Sequence, residues 1–232
     1  MRPRNARWDI FAAPQRSRPE ASTTRLRARE SIPSPTDVPP ENWSGSAARR
    51  EAMPKPVTTN ERWSMDFMAD QLYSGRPIRV LVLVDNFSRE SLAIRAGISL
   101  KADDVVEVLN RPIEDRGTPG SIRVDNGTEF TSVVMDQWAY WNKVALDFTR
   151  PGKPTDNATI ESFNSRLRQE CLNEHWFLTV ADAQEKLDAW RTDYNEKRPH
   201  SSLGNLTPDE FARLEDRALG LAKPETSLCM TG

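Results

Sequence analysis

Three acidic residues occupy positions at which a carboxylate could take part in chemistry. Asp66 lies inside an apolar, alternating stretch, Asp125 directly precedes an Asn-Gly pair, and Glu161 lies near the start of a helical pattern. If the three side chains meet, their mutual repulsion requires protons or cations between them. Oxygen ligands without a nearby His or Cys cluster suit Mg²⁺ or Mn²⁺. Two such ions about 4 Å apart can activate a water or hydroxyl and stabilise the leaving oxygen of a phosphodiester.

Each acid, taken singly, also has an ordinary structural explanation. An Asp before Asn-Gly is typical of a turn, and a Glu in the first turn of a helix compensates the helix dipole. These explanations are the better ones for Asp125 and Glu161 considered alone. Asp66 is harder to explain in this way, because a carboxylate inside a strand is disfavoured. The interpretation as a metal site therefore depends on the three residues acting together.

The stretch from residue 151 to residue 172 begins as a loop and continues as a helix with two stripes. The apolar stripe consists of Ile160, Phe163, Leu167 and Cys171, and the polar stripe consists of Glu161, Asn164, Ser165 and Arg168. Residues spaced by three, four and seven share a helix face. Glu161 could thus hold a metal while Arg168, two turns later, meets a phosphate. A solvated helix face would explain Arg166 or Arg168 equally well.

The hydrophobic pattern predicts the elements that must position these residues. Three strands with short connections indicate an antiparallel meander, and later strands alternate with helices. The predicted strands cover residues 62–70, 77–86, 91–99, 121–126 and 144–148, and the predicted helices cover 102–117, 130–142 and 158 onward, with two more capped by Thr179 and Thr207. The order predicts a mixed five-stranded sheet with helices on both faces. Right-handed crossovers place the fourth and fifth strands parallel to the first, so the first and fourth become neighbours and the three acids converge at one edge of the sheet.

Two helices in this prediction carry more specific expectations. Pro112 lies within the helix at residues 102–117 and should kink it or end it early. The helix at residues 130–142 should pack one apolar side, which consists of Phe130, Val134, Trp138 and Trp141, against the sheet.

Composition divides the 232-residue chain into three parts. Residues 1–60 hold 11 Lys or Arg against 6 Asp or Glu and 9 of the 17 prolines. We interpret them as a disordered or extended arm, with phosphate contact by a basic arm as the alternative. Residues 61–215 form the predicted core and residues 216–232 a flexible tail. With two cysteines and no CxxC pair, a zinc finger is excluded, and no apolar run is long enough for a membrane span, so we expect a cytoplasmic protein.

Four sequence blocks between Arg62 and about Arg213 resemble the catalytic half of bacterial insertion-sequence transposases of the two-reading-frame group. These blocks are NERWSMDFMAD, IRVDNGTEF, PGKPTDNATIESFNSRLRQECLNEHWF and DYNEKRPHSSLGNLTPDEF. Thirty-five residues separate Asp125 from Glu161, as in the Asp-Asp-Glu signature of that group. The resemblance implies an RNase H-like, retroviral-integrase-like core in which Asp66, Asp125 and Glu161 bind two Mg²⁺ or Mn²⁺ ions.

The resemblance also implies a function and partners. It implies metal-dependent cleavage and strand transfer at insertion-sequence ends, with terminal repeats and target DNA as ligands and self-association on DNA. A small helix-turn-helix protein from the upstream reading frame is a further expected partner. The residues that it implies for DNA contact are Lys153, Asn157, Asn164, Arg166 and Arg168. Two alternatives stay open: a non-catalytic DNA-binding or assembly partner, or a decayed relic of a transposase, and a less specific nuclease of the same fold.

Overall fold

The computed structural model describes residues 54–149 and 158–220. The predicted arm up to residue 53, the loop residues Lys153 and Asn157, and the tail beyond residue 220 lie outside these ranges. Every helix within the described ranges is too short or too polar to span a lipid bilayer.

Five strands form one mixed sheet in the order β3-β2-β1-β4-β5. The strands are β1 (Arg62–Gln71), β2 (Pro77–Asp85), β3 (Ser91–Gly97), β4 (Ser121–Val124) and β5 (Ala145–Phe148). The first three pair antiparallel, because their short turns reverse the chain, while β4 pairs parallel with both β1 and β5. The predicted sheet is therefore confirmed, including the adjacency of the first and fourth strands.

Helices cover both faces of this sheet, as predicted. They are α1 (Ala102–Arg116), α2 (Val133–Asn142), α3 (Ala158–Leu167), α4 (Val180–Glu196) and α5 (Pro208–Ala218). Alternation along the strands creates two cores. Leu81 and Leu83 of β2 pack with α1 and α2, whereas Val80, Val82 and Val84 pack with α3 and α4.

Two details of the predicted helices differ in the structure, namely an early end of α1 at Pro112 and part of the apolar side of α2. Pro112 does not end α1, which continues to Arg116 before Gly117. Val105, Leu109 and Pro112 are buried on one face of α1, and this burial offsets the hydrogen bond that proline cannot donate. The predicted apolar side of α2 is confirmed for Phe130 and Trp138, which are buried, and is wrong for Val134 and Trp141, which are exposed. Ser132 caps the helix, and Met135 and Ala139 complete its buried face.

The apolar stripe of α3 is confirmed, because Ile160, Phe163, Leu167 and Cys171 are all buried. A π-helical turn, Arg168–Leu172, follows α3 and buries Leu172 beside Cys171. The caps of the last two helices are also confirmed, with Thr179 accepting a hydrogen bond from the Asp182 amide and Thr207 and Glu210 forming a capping box. The buried stripe of α3 packs this helix against the sheet face that carries the even-numbered residues of β1.

One buried amide joins α4 to the outermost strand β3. The Ser91 N–H donates to Asn195 Oδ1 at 2.9 Å, and Asn195 Nδ2 donates to the Ser91 carbonyl at 3.0 Å. Asn195 therefore satisfies the outward-facing backbone groups of an edge strand, as a neighbouring strand would.

We expect Asn195→Ala to lower the free energy of unfolding by about 2 kcal/mol, because it leaves the Ser91 N–H unsatisfied, while the Ser91 carbonyl keeps its hydrogen bond from Arg191. This loss corresponds to a melting temperature lower by about 4–8 °C for a domain of this size. The matched control is Glu196→Ala, which changes the next, exposed residue of α4. An equal effect of the two substitutions would contradict the proposed role of the amide.

Candidate active site

The pairing of β1 with β4 brings two of the three predicted acids together. Arg62 pairs with Ser121 and Ser64 with Arg123, and Asp66 and Asp125 follow two positions further along each strand. Parallel neighbours lie about 4.8 Å apart, and residues two positions apart on a strand share a face. Asp66 and Asp125 therefore occupy adjacent positions on the face covered by α3, with Asp125 immediately after β4.

Helix α3 brings the third acid to the same place. Asn164 Nδ2 donates to Asp66 Oδ2 at 2.8 Å, which fixes this side of the helix over β1. Glu161 lies one turn before Asn164 and thus on the same side of α3, with an exposed side chain. The sequence prediction placed Asn164 in contact with DNA, whereas its amide contacts the strand carboxylate.

The electrostatics of Asp66 reflect this crowding. Burial raises the pKa of Asp66 above its usual value, and the negative charges of Asp125 and Glu161 raise it further. Hydrogen bonds from the Phe67 amide and from Asn164 act in the opposite direction and lower the pKa. Both neighbouring carboxylates are therefore close enough for their charge to disfavour ionised Asp66.

This donor set fits a divalent cation. The three side chains offer only carboxylate oxygens, the ligand type that Mg²⁺ and Mn²⁺ prefer. A cation would neutralise the negative charge that raises the pKa of Asp66. Asn164 Oδ1 is in addition a buried oxygen without a hydrogen-bond partner among the described residues. As they stand, no three Asp, Glu, His or Cys side chains in residues 54–149 and 158–220 form a metal cluster.

Gly127 sets the position of Asp125. Its N–H donates to Asp125 Oδ1 at 2.8 Å, and a Cβ built on Gly127 would lie 2.9 Å from that oxygen. Any larger residue would displace the carboxylate, so the glycine allows close approach of backbone and side chain. This hydrogen bond from the backbone two residues on is the turn that the sequence analysis named as the ordinary explanation of Asp125.

A fourth carboxylate, Glu129, lies beside Asp125 but is already neutralised. Its Oε1 accepts a hydrogen bond from Arg79, and this bond lowers the pKa of Glu129. The Arg79 guanidinium lies over the Phe67 ring, 3.8 Å from its centroid. Glu129 thus ties β2 to the loop after β4. The sequence prediction missed this pair, which involves residues 50 positions apart.

The predicted basic residues divide into two groups. Arg168 donates to Asp70 Oδ2 at 3.0 Å and to the Ala69 carbonyl at 2.6 Å, so it fastens the end of α3 to β1. Arg166 is exposed and forms no ion pair with a carboxylate of the described residues. DNA contact by either residue remains a prediction, as it does for Lys153 and Asn157.

His200 occupies a structural position. Its ring packs edge-on against Tyr194, with 4.9 Å between ring centroids, and its backbone N–H donates to the Leu206 carbonyl. Burial lowers the pKa of His200, and the nearby charges of Arg166 and Arg89 lower it further. The imidazole therefore tends to stay neutral.

Comparison with protein families gives two matches to the chain. Two models described as integrase core domains match it, one over residues 56–154 and the other over residues 142–208. Together they include Asp66, Asp125 and Glu161.

The chain is also similar to proteins of bacterial insertion elements. An uncharacterised protein of insertion element IS407 of Burkholderia multivorans is 48% identical over 168 residues, which cover 72% of this chain and 61% of that protein. An uncharacterised protein of insertion element IS476 of Xanthomonas euvesicatoria is 44% identical, over 66% of this chain and 44% of that protein. The transposase InsF of IS3A of Escherichia coli is 24% identical, over 66% of this chain and 54% of that protein. The chain thus spans about half of the length of these relatives.

Solved structures with a similar fold include retroviral integrases. A chain of the simian T-cell lymphotropic virus intasome in complex with PP2A regulatory subunit B56 gamma gives a TM-score of 0.60 at 18% identity, over 78% of this chain and 63% of that chain. The HTLV-2 integrase catalytic core domain in complex with magnesium, in its trimeric form, gives a TM-score of 0.55 at 16% identity. The match covers 67% of this chain and 98% of that chain. These likenesses confirm the predicted integrase-core fold.

We expect Asp66→Asn to raise the melting temperature in EDTA by about 2–4 °C, because it removes a half-buried charge from between two others. Asn164 can turn its amide and accept a hydrogen bond from the new side chain with its unpartnered Oδ1. Manganese should raise the melting temperature of the unsubstituted chain more than that of the variant. Differential scanning fluorimetry measures both effects.

Asp70→Asn is the matched control on the same strand, because the Asp70 charge is already balanced by Arg168. We expect this substitution to leave the melting temperature in EDTA unchanged or lower. A lower melting temperature in EDTA for Asp66→Asn as well would show that repulsion by Asp125 and Glu161 does not destabilise the folded chain.

Proposed function

The chain belongs to the insertion-sequence transposases with an integrase-like core, and on that premise we propose that it cuts and joins DNA strands at the ends of a mobile element. The observation that carries the proposal is the placement of Asp66 and Asp125 side by side under the helix that bears Glu161. We assign these three residues as the catalytic and metal-binding set.

The proposed chemistry is an exchange of phosphodiester bonds. In the first step a water oxygen attacks the phosphorus at the element end, and the bond to the 3′ oxygen breaks to leave a 3′-hydroxyl. In the second step that hydroxyl oxygen attacks a phosphorus of target DNA, and the bond to its former 3′ oxygen breaks. Two Mg²⁺ or Mn²⁺ ions, when bound, would supply nucleophile activation and stabilisation of the leaving oxygen.

The residues of this chain would orient that exchange. Asp66 lies on β1 and Asp125 follows the neighbouring strand β4 directly, so the backbone pairing of the two strands limits the distance between the two carboxylates. Asn164 and Gly127 each hold one carboxylate oxygen in place. Glu161 stands on a separate element with an exposed side chain, which allows it to close on the site from the side of α3.

We further propose the ligands and partners. Lys153, Asn157, Asn164, Arg166 and Arg168 would contact DNA near the site, where basic and amide side chains meet the backbone. Terminal repeats and target DNA are the proposed ligands, self-association on DNA would pair two element ends, and a helix-turn-helix protein from an upstream reading frame is a proposed partner. Such a protein would act in the cytoplasm.

The decisive experiment incubates the chain with Mn²⁺ and a labelled duplex that carries a candidate terminal repeat. We expect cleavage or joining at the repeat end. Asp66→Asn, Asp125→Asn and Glu161→Gln should each reduce it by about 10³-fold or more, because each amide keeps the shape but loses the charge that a cation needs. Circular dichroism should show an intact fold in all three variants.

Glu129→Gln is the matched control, because this carboxylate lies next to Asp125 but is neutralised by Arg79. We expect it to change activity far less than the other three substitutions. Activity that survives in any of the three with the fold intact would reject the assignment of that residue. Indiscriminate cutting would indicate the nuclease alternative, and DNA binding without cutting would indicate the accessory protein or relic.

A further inference from the structure

A cavity of about 860 Å³ opens on the same sheet face, beside α3. Its wall includes the start of β1, the β2–β3 turn, the first turns of α3 and the segment after α4. Five cationic side chains line it, namely Lys55, Arg62, Arg89, Arg123 and Arg166. No Asp or Glu of the described residues lines it.

This accumulation of positive charge differs from the rest of the core. Residues 61–232 hold 21 Lys or Arg against 28 Asp or Glu, so an acidic surrounding is the expectation for any cavity there. Arg62 is 4% exposed, and the pKa of Arg62 is lowered by burial and by the charge of Arg123. The charges of Asp147 and Glu61 act in the opposite direction and offset this repulsion in part, and an anion in the cavity would offset more of it.

Buried polar atoms in the wall also lack partners. Arg62 Nε, His200 Nε2 and Asn86 Oδ1 form no hydrogen bond with the described residues. Each of these side chains is more than nine-tenths buried and lines the cavity. Arg62 Nε is a donor and Asn86 Oδ1 is an acceptor, and buried polar atoms without partners are rare in proteins and indicate groups that complete them. A phosphate oxygen would complete the donor Arg62 Nε.

Arg89 is held in position for this purpose. Its backbone lies in the left-handed region, with φ of 63°, and its carbonyl accepts a hydrogen bond from the Tyr194 hydroxyl. Its guanidinium donates to Thr159 in the first turn of α3. A non-glycine residue at positive φ is uncommon and strained, so other contacts must maintain it. The result is an arginine directed at the N-terminal end of a helix, whose dipole also favours anions.

The cavity lies in line with the carboxylates. Arg62, Ser64 and Asp66 alternate along one face of β1, so Arg62 is roughly 13 Å from Asp66 along the strand. At roughly 3.4 Å per nucleotide along a DNA helix axis, this distance corresponds to about four nucleotides. A DNA strand that is cleaved at the three carboxylates would therefore run past the cationic side chains of the cavity wall.

We propose that this cavity binds backbone phosphates of a DNA strand that runs past the carboxylate site. The proposal rests on the proposed function for the identity of the ligand. Arg89 and Arg166 donate to the phosphate oxygens, and Arg62 completes the inner wall. Arg123 stays paired with Asp147 and therefore contributes little net charge. Contacts of this kind fix the register of the strand and carry no sequence information.

The test measures binding of a fluorescein-labelled single-stranded oligonucleotide to the full chain by anisotropy in EDTA. Arg89→Gln should weaken binding about tenfold, because it removes a charged hydrogen bond. The slope of log affinity against log salt should fall by about 0.7 for the lost phosphate contact. Arg213→Gln, which removes an exposed arginine of α5, is the charge-matched control and should have a smaller effect.

A second variant gives a test that does not depend on whether Arg89→Gln preserves the local structure. Ser202 is exposed and lines the cavity, so Ser202→Glu places a carboxylate in the wall without disturbing the core. We expect it to weaken binding about as much as Arg89→Gln, while Ser74→Glu in the β1–β2 turn should not. Affinities of both cavity variants equal to those of their controls would overturn the proposal.

Inorganic phosphate, added alone with the melting temperature as readout, distinguishes a small-anion site from a DNA site. Loss of phosphate stabilisation in Arg89→Gln with unchanged DNA affinity would overturn the proposal for DNA. Because these measurements use EDTA, they do not depend on catalysis. Survival of cleavage in the carboxylate variants would overturn the proposed function and leave the binding result unaffected.

Discussion

The charge of Asp66, set within the central strand of the sheet, is the constraint on which the site depends. A carboxylate in this position loses hydration and faces two other negative groups, so burial and repulsion both raise its pKa. The fold compensates only in part, through the Phe67 amide and Asn164. The remaining negative charge would favour a bound cation at this point. Helix α3 must therefore pack on the sheet in one register. From successive turns of this helix, Asn164 donates a hydrogen bond to the Asp66 carboxylate and Glu161 adds a negative charge beside it.

Helix α3 also divides one sheet face into two electrostatic regions. On one side are Asp66, Asp125 and Glu161, and on the other are Arg62, Arg89 and Arg166. A polyanion is attracted to the second region and repelled by the first until cations bind there. The two regions are therefore complementary: the basic wall would hold a DNA strand, and the acidic group would act on it once cations are present. Neither region alone accounts for the charge distribution of the face.

Much of this arrangement could be predicted from the sequence, because it follows from local pattern. Alternation in β1 and β2, helical spacing in α3 and the capping residues Thr179 and Thr207 gave the elements, and short turns and crossovers gave the sheet order. The features that could not be predicted depend on contacts distant in sequence. Burial of α1 overrides Pro112, Arg168 meets Asp70, and Arg79 meets Glu129. No local pattern indicates which carboxylate an arginine will find, so the sequence alone could not separate a DNA contact from a structural ion pair.

The mildly acidic composition of the core is consistent with DNA as a ligand once the ion pairs are considered. Many acids of the core are already neutralised within the fold, as in the pairs Arg123–Asp147, Arg116–Glu90 and Arg198–Glu170. Such pairs contribute little field at a distance, because opposite charges in contact cancel. The field near α3 is set instead by groups without such an ion pair among the described residues, namely the three carboxylates and Arg62, Arg89 and Arg166 of the cavity wall. Net charge counts every residue equally, whereas a bound strand responds to these few, and this is why a formal charge of −2 does not argue against a nucleic-acid function.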